Sequence, residues 1–213
     1  MRKLQAAVFL LFLGSVPLMW AGEGASPQPR QVRLLGSVVM APLSPSLSVL
    51  SLELPFAALP LGRPGSRAGA SVWVLSDSPY LIPRSYLEVG LVLDWALINA
   101  PRHILTAGLG TAMGIQTVRG RVSVPFVVKA TYRWSALGWL SLEAGTEALL
   151  YSAGAGFDIR LRALTRPFAA GLLLGLGVGY GMLSEWDFNP HGDALQLEAT
   201  GGYSWPGSRE GGR

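Results

Sequence analysis

Val122-Ser-Val-Pro-Phe-Val-Val-Lys-Ala-Thr-Tyr-Arg-Trp134 is the stretch whose reading decides the fold. Its even positions are Val122, Val124, Phe126, Val128, Ala130, Tyr132 and Trp134, while Ser123, Lys129, Thr131 and Arg133 lie among the odd ones. Successive side chains of a strand point to opposite faces, so the segment has one apolar and one polar face. It is long for a strand of a water-soluble domain and matches a tilted strand crossing a bilayer.

The same alternation recurs along the chain. Ten strands are expected, at 32–41, 47–59, 70–77, 84–96, 104–117, 121–134, 139–151, 153–164, 167–183 and 194–205. In the fourth, Leu87, Val89, Leu91, Leu93 and Trp95 alternate with Tyr86, Glu88, Gly90, Val92 and Asp94. In the ninth, Leu172, Leu174, Leu176, Val178 and Tyr180 alternate with glycines from Gly171 to Gly181. The early strands are less patterned, and 70–77 is apolar on both faces. Pro55 and Pro125 each lack a ladder donor, so bulges are expected there, and a count of eight strands stays open beside ten.

Composition agrees. Half of the 213 residues are hydrophobic and only 14% are charged, yet no run beyond the N-terminus is long and apolar enough for a spanning helix. The 27 glycines suit strands and turns rather than helices. Met1-Arg2-Lys3, an apolar core from Ala6 to Leu13, and small residues around Ala21 to Ala25 have the three regions of a secretory signal. The expected organisation is a cleaved signal at 1–24, a lead-in at 25–31, a barrel at 32–205 and a polar tail at 206–213. The absence of cysteine excludes disulfides, thiolate metal sites and a lipidated cysteine. The net charge of +4 is scattered and includes Arg2 and Lys3, so nucleic-acid binding has no support.

The fold class is therefore all-β: a closed, antiparallel, up-and-down transmembrane β-barrel in the outer membrane. Glu88, Asp94, Lys129, Arg133, Glu143, Glu147, Asp158, Arg160, Arg162 and Glu198 share the face opposite the large apolar residues. Both signs of charge fit a narrow lumen lined with paired ions, with lipid outside. A soluble lipocalin-like exported barrel, with grease inside, is the alternative. With the N-terminus in the periplasm, Trp95, Tyr132, Trp134, Trp139, Phe168, Tyr203 and Trp205 fall near the periplasmic rim. Tyr86, Tyr151 and Tyr180 fall near the outer rim, completing two aromatic girdles.

These features resemble the small bacterial outer-membrane barrels of the OmpA/OmpX-like type. The signal, the strands at 84–96, 121–134 and 139–151, and a final strand Leu195–Trp205 ending in an aromatic carry the resemblance. It is architectural, covers roughly 32–205, and departs in the polar tail Pro206–Arg213 that follows the terminal aromatic. It implies a monomer in contact with outer-membrane lipids and the assembly machinery.

No catalytic, cofactor or metal site is expected. His191 in Glu185–Asp193 has Asp187 and Asp193 nearby, but no serine motif accompanies it. Asp187-Phe-Asn-Pro-His-Gly192 echoes the start of a calcium loop, but His191 replaces an oxygen ligand and Pro190 intrudes. The glycine rows have two readings: a widened solute path, or room for bulky lumen side chains, the second being favoured. The leading function is a structural or envelope role with a side-chain-filled lumen. The alternatives are a narrow pore or conduit for small or apolar solutes and, behind it, a lipid-modifying enzyme.

Overall fold

The computed structural model describes residues 32–41, 44–55, 68–78, 86–117, 120–151, 154–166, 171–183 and 194–205. They form β1 (Val32–Ala41), β2 (Ser44–Pro55), β3 (Ala68–Ser76), β4 (Tyr86–Asn99), β5 (His103–Gln116), β6 (Arg121–Ser123), β7 (Phe126–Leu137), β8 (Leu140–Tyr151), β9 (Gly154–Thr165), β10 (Leu172–Leu183) and β11 (Ala194–Trp205). Every pairing is antiparallel and, apart from that of β1 with β11, between strands that follow one another in sequence, with β6 and β7 sharing β5. β1 closes on β11, from Val32 opposite Trp205 to Met40 opposite Leu197. The sheet is thus a closed ten-strand barrel in which β6 and β7 are two parts of one strand.

The two prolines act differently from the sequence expectation. Ser123 faces Gly114 and Phe126 faces Thr111, so the register is unchanged across Pro125. Pro125 removes one ladder donor without inserting a residue, and its carbonyl still accepts from the Ala112 amide at 3.2 Å. Pro55 pairs in register with Gly69 at the end of β2. The register shifts lie instead at Val39/Ala41, Ala96/Ile98 and Ser135/Leu137. β10 spans Leu172–Leu183, and the 167–170 part of the expected strand lies outside the described residues. Gly171 has a φ of 85°, a left-handed backbone that ends the strand there, although its carbonyl still accepts from the amide of Ser204, the residue it faces in the β10–β11 register.

The facing is that of a barrel turned inside out relative to a soluble one. Along β4, Tyr86, Glu88, Gly90, Val92 and Asp94 are buried, while Val89, Leu91, Leu93 and Trp95 are exposed. Glu88 is 1% exposed and Leu176 is 72% exposed. A soluble, lipocalin-like barrel has the opposite arrangement, so that alternative fails on the placement of these side chains.

Candidate functional site: the barrel interior

The interior has two layers, one ionic and one apolar. The ionic layer lies toward the end where β1 begins and is tied across the lumen. Arg33 of β1 reaches Glu53 of β2 at 3.2 Å and Glu143 of β8 at 2.8 Å. Arg133 of β7 joins the same two carboxylates, meeting Glu53 at 3.0 Å. Glu143 also meets Arg162 of β9 at 3.7 Å, and Arg162 meets Glu198 of β11 at 2.7 Å. Thr200 donates to Glu198 at 2.9 Å, and Thr200 and Ser37 share a hydrogen bond of 3.0 Å.

Three of these contacts, Arg33–Glu143, Arg133–Glu53 and Arg162–Glu198, join strands that are not neighbours in the sheet. The first two brace opposite walls. Arg33 is 2% exposed, so its charge is viable only because two carboxylates face it.

The other interior ions are more local. Arg160 donates to Asp158 at 2.6 Å, and Ser71 donates to Asp94 at 2.9 Å. Lys129, Glu147 and Asp158 occupy one register row across β7, β8 and β9. The sequence-derived set of interior charges therefore falls on one side of the barrel wall, and Arg133, Glu143, Asp158, Arg160, Arg162 and Glu198 are drawn into direct ion pairs.

The apolar layer lies toward the end where β1 finishes. Val39, Leu47, Trp73, Leu75, Tyr86, Val92, Ala112, Val127 and Leu149 form one buried cluster, with Val49 and Tyr151 packed against it. Glu88 is set among these side chains. Its carboxylate accepts from the Trp73 indole at 3.0 Å and from the Tyr86 hydroxyl at 2.6 Å. The glycines facing this layer make room for it. A Cβ on Gly90 would overlap the Trp73 ring, and one on Gly114 would overlap the Tyr86 hydroxyl. The space left by these glycines is filled by side chains, as in the structural reading of the glycine rows.

Three small interior cavities lie among the described residues. One cavity of about 110 Å³ touches Glu88, Lys129, Glu147, Asp158 and Arg160. A second of about 30 Å³ lies by Asp94, Lys129 and Arg133, and a third of about 120 Å³ lies by Arg33, Arg133 and Arg166. The first and third are large enough for several waters each, and the second for one or two.

Sequence reasoning missed Arg33, Glu53 and Trp73. In β1 to β3 the inner face also carries Leu35, Val39, Leu47, Val49 and Leu75, which belong to or flank the apolar layer. That removes the polar contrast by which the other strands were read. The two-sided greasiness of 70–77 has the same cause, because Trp73 and Leu75 point inward.

On the outer face, Trp95, Trp134, Trp139, Tyr180 and Trp205 are exposed. Tyr132 and Tyr203 are half-buried, with Tyr203 edge-on to Trp205 at 4.8 Å. Phe168 and the loop holding Asp187, His191 and Asp193 lie outside the described residues. Tyr86 and Tyr151 are not girdle residues: both point inward, where Tyr86 serves Glu88 and Tyr151 packs on the apolar layer. Among the described residues, no three His, Cys, Asp or Glu side chains are placed to hold a metal ion.

No family model matches the chain, and no curated protein matches it. Several solved structures share its general shape. A KdgM porin is 9% identical with a TM-score of 0.47, covering 82% of this chain and 99% of that one. The KdgM porin in complex with disordered oligogalacturonate is 8% identical with a TM-score of 0.44, covering 83% and 99%. A NanC porin is 9% identical with a TM-score of 0.43, covering 82% and 98%.

Proposed function

We propose that this chain is an integral outer-membrane β-barrel with a structural or envelope role, closed by its own side chains and without enzymatic activity. The observation that carries the reading is the stacking of the two interior layers. A path along the lumen would have to cross the packed Trp73–Leu75–Val127–Leu149 cluster and also part the Arg33–Glu143–Arg133 braces. An apolar constriction excludes hydrated ions, and separating buried ion pairs is costly. The exposed apolar outer face supports the membrane location.

The test is conductance. Purified protein reconstituted in planar bilayers should show no steady channels, and stable ion-selective channels would overturn the closed-lumen reading. A second reading, a narrow conduit, has one observation in its favour: the first two cavities share Glu53, Ser71, Lys129 and Thr131 as lining. Among the described residues, the interior carboxylates Glu53, Glu88, Asp94, Glu143, Glu147, Asp158 and Glu198 outnumber the cations Arg33, Lys129, Arg133, Arg160 and Arg162. Such a conduit would therefore select cations, and cation-selective currents are the result that would promote it.

A further inference from the structure

We propose that the periplasmic mouth of the barrel holds a site for one phosphate group, bound by the guanidinium groups of Arg33, Arg133 and Arg166 and the hydroxyls of Ser135 and Ser141. Its placement in the periplasm rests on the membrane reading above, whereas the site itself adds a ligand to the closed barrel.

The cavity of about 120 Å³ beside these residues lies under the β7–β8 hairpin, with Trp139 in its wall. Its polar lining is of one kind. Among the described residues, the charged and hydroxyl side chains around it are Arg33, Arg133, Arg166, Ser135 and Ser141, with no carboxylate. Each of these can donate a hydrogen bond. Glu53 and Glu143, the partners of Arg33 and Arg133, line the first cavity instead.

Pairing and parity bring the donors together. β1 and β7 stand opposite each other in the closed ring, yet Arg33 and Arg133 reach the same two carboxylates, so their guanidinium groups lie close to one another. Arg166 has the parity of the inward-facing Arg160 and Arg162. Its amide donates to the Trp139 carbonyl at 2.7 Å, which carries the ladder one residue past Thr165. Ser135 and Ser141 are direct partners across β7 and β8. Both contacts of Arg33 with carboxylates leave from Nη1. Its Nε and Nη2 hydrogens, on a residue 2% exposed, are left for another acceptor. Burial, and after it the charge of Arg33, holds the Arg166 guanidinium below the usual arginine range, with Glu143 acting the other way. An anion beside the two arginines would act as Glu143 does.

The arrangement also selects the anion. Donors that converge from β1, β7, β8 and the end of β9 suit an acceptor with oxygens on every side. A tetrahedral phosphate offers that, whereas a planar carboxylate meets a guanidinium along one edge. The volume is the liquid share of about four waters, enough for one phosphate.

The test is calorimetric titration of the full chain in a neutral detergent with inorganic phosphate, acetate or glycerol 3-phosphate, at constant ionic strength. The wild type should bind one phosphate, and acetate about tenfold more weakly. Arg166→Gln should weaken phosphate binding about tenfold or more, through loss of a charged donor. Ser141→Ala leaves every ion pair in place and should weaken it about threefold, which decides the matter should Arg166→Gln not fold. Arg121→Gln makes the same charge change on an exposed residue at the other end of the barrel and should leave binding unchanged. Glycerol 3-phosphate binding as tightly as phosphate assigns the site to a phosphate monoester, and phosphate alone assigns it to the free anion; either upholds it. No phosphate binding, equal binding of acetate, or equal losses in Arg166→Gln and Arg121→Gln would overturn it. The closed-lumen reading fails separately, on steady channels, whether or not phosphate binds. A protein soluble without detergent removes the periplasmic placement and leaves the site to the same titration.

Discussion

Replacing Gly90 by Ala adds one methyl group at the most crowded point of the interior. A Cβ there would fall within the Trp73 indole, against its Cε2, Cζ2 and Cη2 atoms. The ring cannot swing away freely, because its Nε1 donates to Glu88 at 3.0 Å and its faces pack in the apolar layer. Overpacking a core of this kind costs about 1–3 kcal/mol. If the ring moves enough to lose the Glu88 bond, a carboxylate 1% exposed is left with one donor fewer. That adds about 1–3 kcal/mol. The expected loss is therefore about 1–3 kcal/mol if the Glu88 bond holds and about 2–6 kcal/mol if it is lost, measured by urea unfolding in lipid vesicles with tryptophan fluorescence as readout. Gly201→Ala is the control: a Cβ there meets nothing within 4 Å, and the site lies on the exposed face. That change should be neutral or stabilising by up to about 1 kcal/mol through the unfolded chain. Equal stability of the two variants would refute the claim that the glycine face exists to admit the indole.

Three further outcomes are expected. Glu143→Gln withdraws the charge shared by Arg33, Arg133 and Arg162, and should cost about 3–5 kcal/mol in the same unfolding assay without producing channels in bilayers; open channels in this variant would show that the braces are a gate. Val128→Arg places a cation on the outer face and should cost about 2–4 kcal/mol if it lies near the midplane, more than Lys129→Gln on the inner face; the reverse order would mean that the register is off by one. The purified protein should need detergent, be rich in β-structure and shift in mobility on heating before electrophoresis, and its recovery as a soluble periplasmic monomer would remove the membrane location.

Most strand positions and the facing of the later strands were legible because alternation is a local property. Within 86–99 and 126–137, the charged residues Glu88, Asp94, Lys129 and Arg133 declare their side of the wall by their own polarity and their parity. Legibility failed where the inner face is itself apolar. Val39 and Leu47 weakened the pattern of the first two strands, Trp73 and Leu75 made 70–77 read as greasy on both sides, and Arg33 and Glu53 went unnoticed among the early strands. It failed also for Tyr86, whose parity pointed inward while its position near a strand end suggested a girdle. The expected bulges at Pro55 and Pro125 were misplaced for a related reason. A missing donor is visible in sequence, whereas whether the partner strand keeps step past it depends on the pairing.

By itself, the sequence determined an antiparallel up-and-down wall, of ten strands or eight, and which side of most of it is charged, since both follow from period-two patterning and short connections. Only the tertiary structure decided what the charges do. Arg133 meets Glu53 across 80 positions of sequence, and Arg33 meets Glu143 from a non-adjacent strand. Such contacts depend on how far each strand is staggered when the sheet closes, a quantity no local pattern carries. The division of the interior into an ionic and an apolar layer arises in the same way, because layers run around the barrel through residues that are neighbours only after closure.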